Sequence, residues 1–412
     1  MKYGCIGERL GHSFSKEIHS LIADYDYRLK ELAPDEVEPF MKKADFLAIN
    51  VTIPYKEKVI PYLYHVDEDA KLIGAVNTIV NRDGKLYGYN TDFYGMSELA
   101  GHAGISFDGK KVLILGTGGT SKTAYAVAMA HGAREVLKAS RTPSETAISY
   151  TDVYKYHTDS EIIINTTPVG MYPNIFNKPI ELSKFHSLIG VLDAVYNPLN
   201  TPLILEAKKL GVCAEGGLYM LVAQGVRASE IFTDTKYDDS VLDSVYAKIL
   251  ADKQNVVLIG MPASGKTTVG KILAQKLGRR LVDTDEVIVD KHGKEIPDIF
   301  AEVGEGGFRD FESCAISEIS AFGSSVIATG GGAVLRRENV DALSENGKIY
   351  FIDRPLDMLI PTDDRPTAST KEAIEKRYGE RYGIYRASAD VTVDGSHSAS
   401  EVAEEILTDF LG

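Results

Sequence analysis

Apolar residues along this chain gather in short unbroken runs that end in glycine or a polar turn. Residues 111–116 (KVLILG), 161–165 (EIIIN) and 256–260 (VVLIG) are three of them. Runs this short, rich in branched side chains, suit strands buried on both faces of a parallel sheet. Helical periodicity follows two of them, at 121–131 and 266–277. A fourth candidate strand, 325–329, runs into Gly330, Gly331 and Gly332. Strand alternating with helix predicts an α/β architecture. There is no repeat, heptad run or low-complexity segment. An amphipathic stretch at 240–250 precedes a fresh strand, so a boundary is predicted near 250–255 (LADKQN). The connection there is short and has no Gly/Ser-rich or Pro-rich spacer. A softer boundary falls near 107–111.

Length and composition narrow the class. The chain has 412 residues, and at about 150 residues per domain this gives two to three domains. Hydrophobic residues make up 44% and charged residues 25%, the balance of a soluble globular protein. The net charge of −14 removes any general attraction for nucleic acid or an anionic membrane, so anions must be bound at local sites. Cys5, Cys213 and Cys314 lie far apart and form neither a disulfide framework nor a CxxC knuckle, so free thiols are expected. The N-terminus, MKYGCIGERLGHS, carries no apolar signal run, and no segment approaches the ~18–20 apolar residues of a membrane span. A cytoplasmic protein with small-molecule partners is expected.

The first half carries a dinucleotide signal. Residues 111–121 (KVLILGTGGTS) run from a strand through Gly116, Gly118 and Gly119 into a helix. Such glycines let the backbone turn tightly and approach a pyrophosphate, while the helix start offers free N–H groups. The next strand ends at Ser140, Arg141 and Thr142. An acidic residue there would bind the ribose of NAD, whereas Arg141 suits the 2′-phosphate of NADP. Upstream lie four polar patterns, at 11–15 (GHSFS), 50–56 (NVTIPYK), 74–78 (GAVNT) and 90–92 (NTD). Each alone reads as a turn; together, beside a dinucleotide fold, they read as a polar pocket. Carbonyl reduction needs a hydride donor and a proton donor, and a lysine beside an aspartate can supply the proton.

These residues resemble the shikimate dehydrogenase family across nearly all of residues 1–250. The matching elements are those at 12–16, 50–56, 74–78, 90–92, 116–119 and 140–142, then 165–171 (NTTPVGM), 193–198 (DAVYNP) and 216–221 (GGLYML), with Gln224 after it. The resemblance implies that Lys56 and Asp92 are the catalytic pair, reducing 3-dehydroshikimate with NADPH. It implies that Ser13 and Ser15 bind the substrate carboxylate, and that Thr52, Asn77, Tyr196 and Gln224 hold the carboxylate and ring hydroxyls. Ser140, Arg141 and Thr142 stand as the 2′-phosphate clamp. Lys16 replaces the family's usual proline, Ser20 stands where asparagine is frequent, and Ser140 replaces the asparagine of the clamp.

The second half contains GMPASGKTT at 260–268, which is GxxxxGK[ST] between a predicted strand and a predicted helix. Gly260, Gly265 and Thr268 belong to a phosphate-cradling loop; Lys266 reaches the β/γ-phosphates and Thr267 ligates Mg²⁺. The run at 325–329 ends without a carboxylate, so acidic support for the metal must come from elsewhere, with 283–285 (DTD) the obvious source. That favours a small-molecule kinase over a motor or switch. An acceptor hydroxyl needs a carboxylate, from Asp283 or Asp285. An anionic acceptor needs a local cation, for which Arg309 in 304–312 (GEGGFRDFE) is a candidate unless it is a helix-surface charge paired with Glu305 or Glu312.

Residues 255–412 resemble shikimate kinase through this loop, DTD, GEGGFRDFE, the three glycines, Arg365-Pro366 and Arg381 four residues before Tyr385. The resemblance implies that Asp285 contacts the reacting hydroxyls, Asp283 supports Mg²⁺ through water, Arg309 and Arg381 grip the carboxylate, Gly331 touches the ring and Arg365 covers the phosphates. Residues 364–368 (DRPTA) depart from the more apolar sequence usual there.

The expected fold is therefore a shikimate-dehydrogenase-type substrate domain (1–107, completed by about 220–250) with a Rossmann NADP domain (108–219), then a P-loop, nucleoside-monophosphate-kinase-like α/β domain (255–412). The expected function is bifunctional: NADPH reduces 3-dehydroshikimate to shikimate, and MgATP converts shikimate to shikimate 3-phosphate. Three alternatives remain at this stage. The first half is a dehydrogenase that also takes quinate, or the second half is a regulatory ATP-binding domain, or it is a kinase for another sugar acid.

Overall fold

A computed structural model describes residues 1–11, 14–360 and 370–412. The chain divides into two compact units, Met1–Ile249 and Leu250–Gly412.

The first unit holds two six-stranded sheets. One has the order β2-β1-β3-β5-β6-β4 and is built from β1 (Tyr3–Gly7), β2 (Tyr27–Glu31), β3 (Ala48–Val51), β4 (His65–Val66), β5 (Thr78–Arg82) and β6 (Lys85–Tyr89). It is mixed: β5 runs antiparallel to β3 and β6. The second, β12-β11-β10-β7-β8-β9, is wholly parallel. Its strands are β7 (Lys111–Leu115), β8 (Glu135–Ser140), β9 (Ile148–Ser149), β10 (Ile162–Asn165), β11 (Gly190–Asp193) and β12 (Cys213–Glu215). All five β7 residues are buried, as an unbroken apolar run covered on both faces requires. The strand order reverses at β7, which opens a crevice at its carboxyl end beside the glycine turn.

The second unit holds one parallel sheet, β14-β15-β13-β16-β17. Its strands are β13 (Asn255–Ile259), β14 (Arg280–Asp283), β15 (Ser325–Ala328), β16 (Gly347–Asp353) and β17 (Val391–Asp394). Central β13 is fully buried and feeds the helix Lys266–Leu277, which stops at left-handed Gly278. The long helical segment Ile296–Ser320 breaks at Gly304 (φ 70°, ψ 179°), a conformation that glycine adopts without the steric cost other residues incur.

Three sequence readings shift by a few residues for local reasons. The first predicted helix starts earlier, at Gly119, because Gly118 is already its N-cap. The strand expected from 161 starts at Ile162, and the Glu161 carboxylate instead accepts from the Lys111 N–H at 3.0 Å. The stretch 250–255, read as a connection, is mostly helix, since Ser240–Lys253 is continuous and β13 begins at Asn255. Among the described residues no helix is long and apolar enough to cross a membrane.

One buried carboxylate predicts a pH effect on the second unit. Glu345 lies in the helix Arg337–Asn346, is 4% exposed, and its Oε2 has no hydrogen-bond partner. Burial, reinforced by nearby Asp341, pushes its pKa up to about 8. A raised carboxylate costs nothing below its unfolded value and destabilises the fold progressively as pH rises from there to the folded value, above which the cost is constant. Glu345→Gln is therefore expected to leave the melting temperature near wild type at pH 4 and to raise it at pH 9. At about 2–4 °C per kcal/mol for a unit this size, differential scanning calorimetry resolves the shift; equal melting at both pH values would mean Glu345 folds without penalty.

Candidate active sites

In the first unit the Lys–Asp pair is built by two caps and a sheet. Asn90 caps the helix Thr91–His102, its Oδ1 accepting from the Asp92 N–H at 3.0 Å. This fixes Asp92 in the first turn, 4% exposed, where the helix dipole favours a carboxylate. Lys56 follows β3, and its carbonyl accepts from the Val76 N–H at 2.9 Å. Lys56 Nζ then meets Asp92 Oδ2 at 2.5 Å. Asn77 Nδ2 donates to the other carboxylate oxygen at 3.0 Å and lies 3.4 Å from Gln224 Oε1. The Asn77 Oδ1 accepts from the Thr91 N–H at 2.8 Å. The carboxylate thus has a cation on one oxygen and an amide on the other, and the lysine is left with a defined direction.

Lys56 lines a cavity of about 310 Å³ whose wall also includes Ser15, Thr52, Asn77, Tyr196 and Gln224. Every described substrate residue expected from sequence in this half lies on that wall; Ser13 falls outside the described residues. The same wall includes three residues that sequence reading did not single out: Arg9, His19 and Asn50. Asn50 Nδ2 donates to Thr78 Oγ1 at 3.1 Å, and its Oδ1 accepts from the Tyr27 hydroxyl at 2.7 Å. His19 stacks on Tyr27 with ring centroids 4.0 Å apart, and its Nδ1 lies 2.6 Å from the Tyr25 hydroxyl. Burial lowers its pKa to about 3, so it lines the cavity as a neutral ring. Asn50 sits inside the NVTIPYK pattern and was legible there, whereas His19 is placed by stacking that no spacing reveals.

The glycine turn lies at the carboxyl end of β7. Gly116 has φ 112°, and a Cβ there would stand 2.8 Å from Thr166 Oγ1. At Gly118 and Gly119 a Cβ would meet nothing within 4 Å, so bare backbone faces open space. The helix Gly119–Ala130 begins there with no side-chain cap, which leaves its first N–H groups available to a phosphate. At the end of β8 the Ser140 Oγ accepts from the Thr142 N–H at 3.2 Å, and Arg141 is exposed. These residues fit a dinucleotide carrying a ribose phosphate. The loop of Tyr196 is anchored at Asp193, the first residue of the matched segment 193–198. Buried Asp193 accepts from Asn165 Nδ2 (2.9 Å), Thr201 Oγ1 (2.7 Å) and the Val195 N–H (2.9 Å). Burial pushes its pKa up to about 6, with those three donors pulling the other way.

In the second unit the phosphate loop is set by glycine conformations. Gly260 (φ 151°) and Gly265 (φ 92°) bracket it, and a Cβ on Gly260 would stand 2.9 Å from both the Ile352 carbonyl and Ser264 Oγ. Lys266 Nζ donates to the Gly260 and Met261 carbonyls, each at 2.9 Å. Buried Ser264 Oγ has no hydrogen-bond partner, an orphan that a phosphate oxygen would satisfy. Thr267 Oγ1 donates to Asp283 Oδ2 at 2.8 Å, so the two expected metal residues are neighbours, and Thr268 follows in the first helical turn. Asp283 also caps the next helix, accepting from the Asp285 N–H at 3.0 Å. Nucleotide triphosphate and Mg²⁺ fit this donor set.

The three glycines after β15 each make room for a different group. A Cβ on Gly330 would lie 2.7 Å from Asp285 Oδ1 and 2.8 Å from Glu312 Oε1. On Gly331 it would strike Pro262 at 2.8 Å, and on Gly332 it would overlap the Arg309 guanidinium at 2.1 Å. The Gly331 carbonyl also accepts from Arg381 Nη1 at 3.0 Å and from the Tyr385 hydroxyl. Arg309 is buried, not a helix-surface charge. It pairs with fully buried Glu312 at 2.6 Å and with Glu305 at 3.4 Å. Burial raises the Glu312 pKa, against the pull of Arg309. A small cavity of about 50 Å³ is walled in part by Asp285, Phe300, Phe308, Arg309, Gly331 and Arg381. Asp285 is shared with a wider one of about 400 Å³ that includes Thr267 and Asp283. Arg365 falls outside the described residues.

Comparisons with known proteins agree with this division. The profile of the shikimate dehydrogenase substrate binding domain matches residues 5–79, and that of shikimate kinase matches residues 262–410. A shikimate dehydrogenase (NADP(+)) of Clostridium perfringens (strain SM101 / Type A) is 37% identical over 265 residues, covering 60% of this chain and 97% of that protein. The crystal structure of shikimate dehydrogenase 1 from Peptoclostridium difficile is 36% identical with a TM-score of 0.55, covering 60% of this chain and 98% of that one. The Thermus thermophilus enzyme, solved with NADP(H) and shikimate, is 26% identical with a TM-score of 0.54, covering 60% and 99%. The chain belongs to the shikimate dehydrogenase family, and its C-terminal part is a shikimate-kinase-like domain.

Proposed function

We propose that this chain catalyses two consecutive reactions, reduction of 3-dehydroshikimate to shikimate and phosphorylation of shikimate to shikimate 3-phosphate. The observation that carries the first reaction is the 2.5 Å Lys56–Asp92 pair, its lysine lining a polar cavity in the same unit as the glycine turn. NADPH, when bound, supplies hydride to the carbonyl carbon. Lys56 donates its proton to the carbonyl oxygen as that oxygen becomes a hydroxyl. Asp92 keeps Lys56 aimed, and Asn77 keeps Asp92 from turning away. Ser13 and Ser15 take the carboxylate, while Thr52, Tyr196 and Gln224 hold the rest of the acid. Arg141, with Ser140 and Thr142, selects NADP over NAD through the ribose phosphate.

For the second reaction, Arg309 against Gly332 and Arg381 on the Gly331 carbonyl line one small cavity with Asp285, which suits an acceptor that is both an anion and a polyol. MgATP, when bound, supplies the phosphoryl group. Asp285 accepts the proton of the attacking hydroxyl. Thr267 and Asp283 hold the metal, Lys266 turns from the loop carbonyls to the phosphates, and Arg365 closes over them. A pure nucleotide sensor has no need of two buried arginines aimed at an acid.

The test is one tube with purified protein, 3-dehydroshikimate, NADPH and MgATP, read by mass spectrometry. Shikimate 3-phosphate supports both assignments. Shikimate alone leaves the reductase and overturns the kinase, and quinate assayed in parallel tests the breadth of the first site.

A second test bears on the acceptor site. Gly332 has φ −107°, which any residue adopts, and the atoms nearest an added Cβ are all of the Arg309 guanidinium, so Gly332→Ala probes the placement of Arg309. The methyl group displaces the guanidinium, and a lost hydrogen bond to a charged group is worth about 1.5–3 kcal/mol, about 10–100-fold. KM for shikimate is expected to rise by that factor with KM for ATP unchanged. An unaltered shikimate KM would remove Arg309 from the carboxylate site.

A further inference from the structure

We infer that Glu57 and Lys122 form a positioning pair through which the cofactor helix sets the geometry of the Lys56–Asp92 pair. This rests on the reductase reading above. Glu57 follows Lys56 in the chain, and its Oε1 receives Lys122 Nζ at 2.7 Å. Lys122 lies in the first turns of the helix Gly119–Ala130, whose N-terminus is the glycine turn. One turn further along that helix is Ala126, on the same face, packed with Ile73 and Ala75; partly buried Phe93 packs against this cluster. Phe93 follows Asp92 in the chain. Each half of the catalytic pair is thus flanked in sequence by a residue of the surface that meets one helix: Glu57 through an ion pair, Phe93 through apolar packing.

The two contacts differ in kind. Apolar packing tolerates small slides, whereas an ion pair fixes one distance. Asp92 is held by its cap and by Asn77, and Lys56 by the Val76 N–H on its carbonyl; Glu57 adds a hold on the chain next to Lys56. The pair is substantially exposed, with side chains 42% and 60% accessible, so it adds little to stability. Its effect belongs in kcat, because a small displacement of a proton donor costs rate without costing substrate affinity.

The experiment uses the full chain with Glu57→Gln, Lys122→Met and the charge swap E57K/K122E, reading steady-state reduction of 3-dehydroshikimate by NADPH. Each single variant is expected to lower kcat about tenfold, with both KM values within about threefold, and the swap to recover most of the loss. Melting curves establish that each variant is folded at the assay temperature. Single variants with wild-type kcat overturn the inference. So does a swap no better than the singles, or a loss confined to KM for NADPH, which would make Lys122 a nucleotide contact only. Wild-type protein that fails to reduce 3-dehydroshikimate overturns the reductase reading together with this one; a working wild type confines any failure to Glu57 and Lys122.

Discussion

Lys56→Ala is expected to lower the rate of 3-dehydroshikimate reduction by about 10²–10⁴-fold, the usual contribution of a positioned proton donor. Among the described residues of the cavity wall, its ammonium alone combines a transferable proton with a fixed aim, because Asp92 holds it at 2.5 Å. Arg9 also lines the cavity, but a guanidinium does not release its proton at working pH. Truncation also leaves Asp92, 4% exposed, with Asn77 as its remaining amide donor. Some loss of thermal stability should accompany the loss of rate. NADPH oxidation followed by absorbance gives the first number, and phosphorylation of supplied shikimate by the same variant shows the second unit intact. Reduction persisting near the wild-type rate would remove Lys56 as proton donor.

Asp285→Asn is expected to reduce phosphorylation of shikimate by a similar factor, about 10²–10⁴-fold, with KM for ATP little changed. Asp285 sits in the first turn of the helix Thr284–His292, and its backbone N–H is held by Asp283. Its Oδ1 lies over Gly330, which has no side chain to block it. Asparagine keeps the volume and the backbone contact while losing the ability to take a proton. A coupled assay for ADP measures the effect, and shikimate binding by calorimetry separates affinity from rate. If kcat survives while binding collapses, Asp285 holds the acid without acting as base.

Much of this was legible in the chain because the chemistry lies in continuous stretches. The helix Lys266–Leu277 follows its phosphate loop residue for residue, since a glycine bend, a strand and a helix start are all local events. Lys56 and Asp92 were legible as separate motifs. That they meet depends on β3 and β5 pairing antiparallel, which no spacing states. The partners of functional groups were hardest to see. Glu312 was legible as a partner for Arg309 on a helix surface, but the spacing does not state that the pair is buried. The two-residue strands β4 and β9 exist only through neighbours that register them, and their sequences carry no strand pattern of their own. Asp193 belongs to a matched segment, yet its burial against Asn165 and Thr201 follows from the parallel pairing of β10 with β11, which sets Asn165 opposite it.

The three glycines after β15 constrain what this domain can become. Backbone alone forms that side of the acceptor site, and a residue already without a side chain has nothing further to give up. A variant that accepts a bulkier acid cannot gain room at positions 330–332, where each added atom would collide with Asp285, Glu312, Pro262 or Arg309. Space has to come from side chains that line the same cavity, among them Phe300 and Phe308, which stack with ring centroids 4.4 Å apart. Selectivity for size is therefore adjustable at lining side chains such as these two aromatic rings and not at the three glycines.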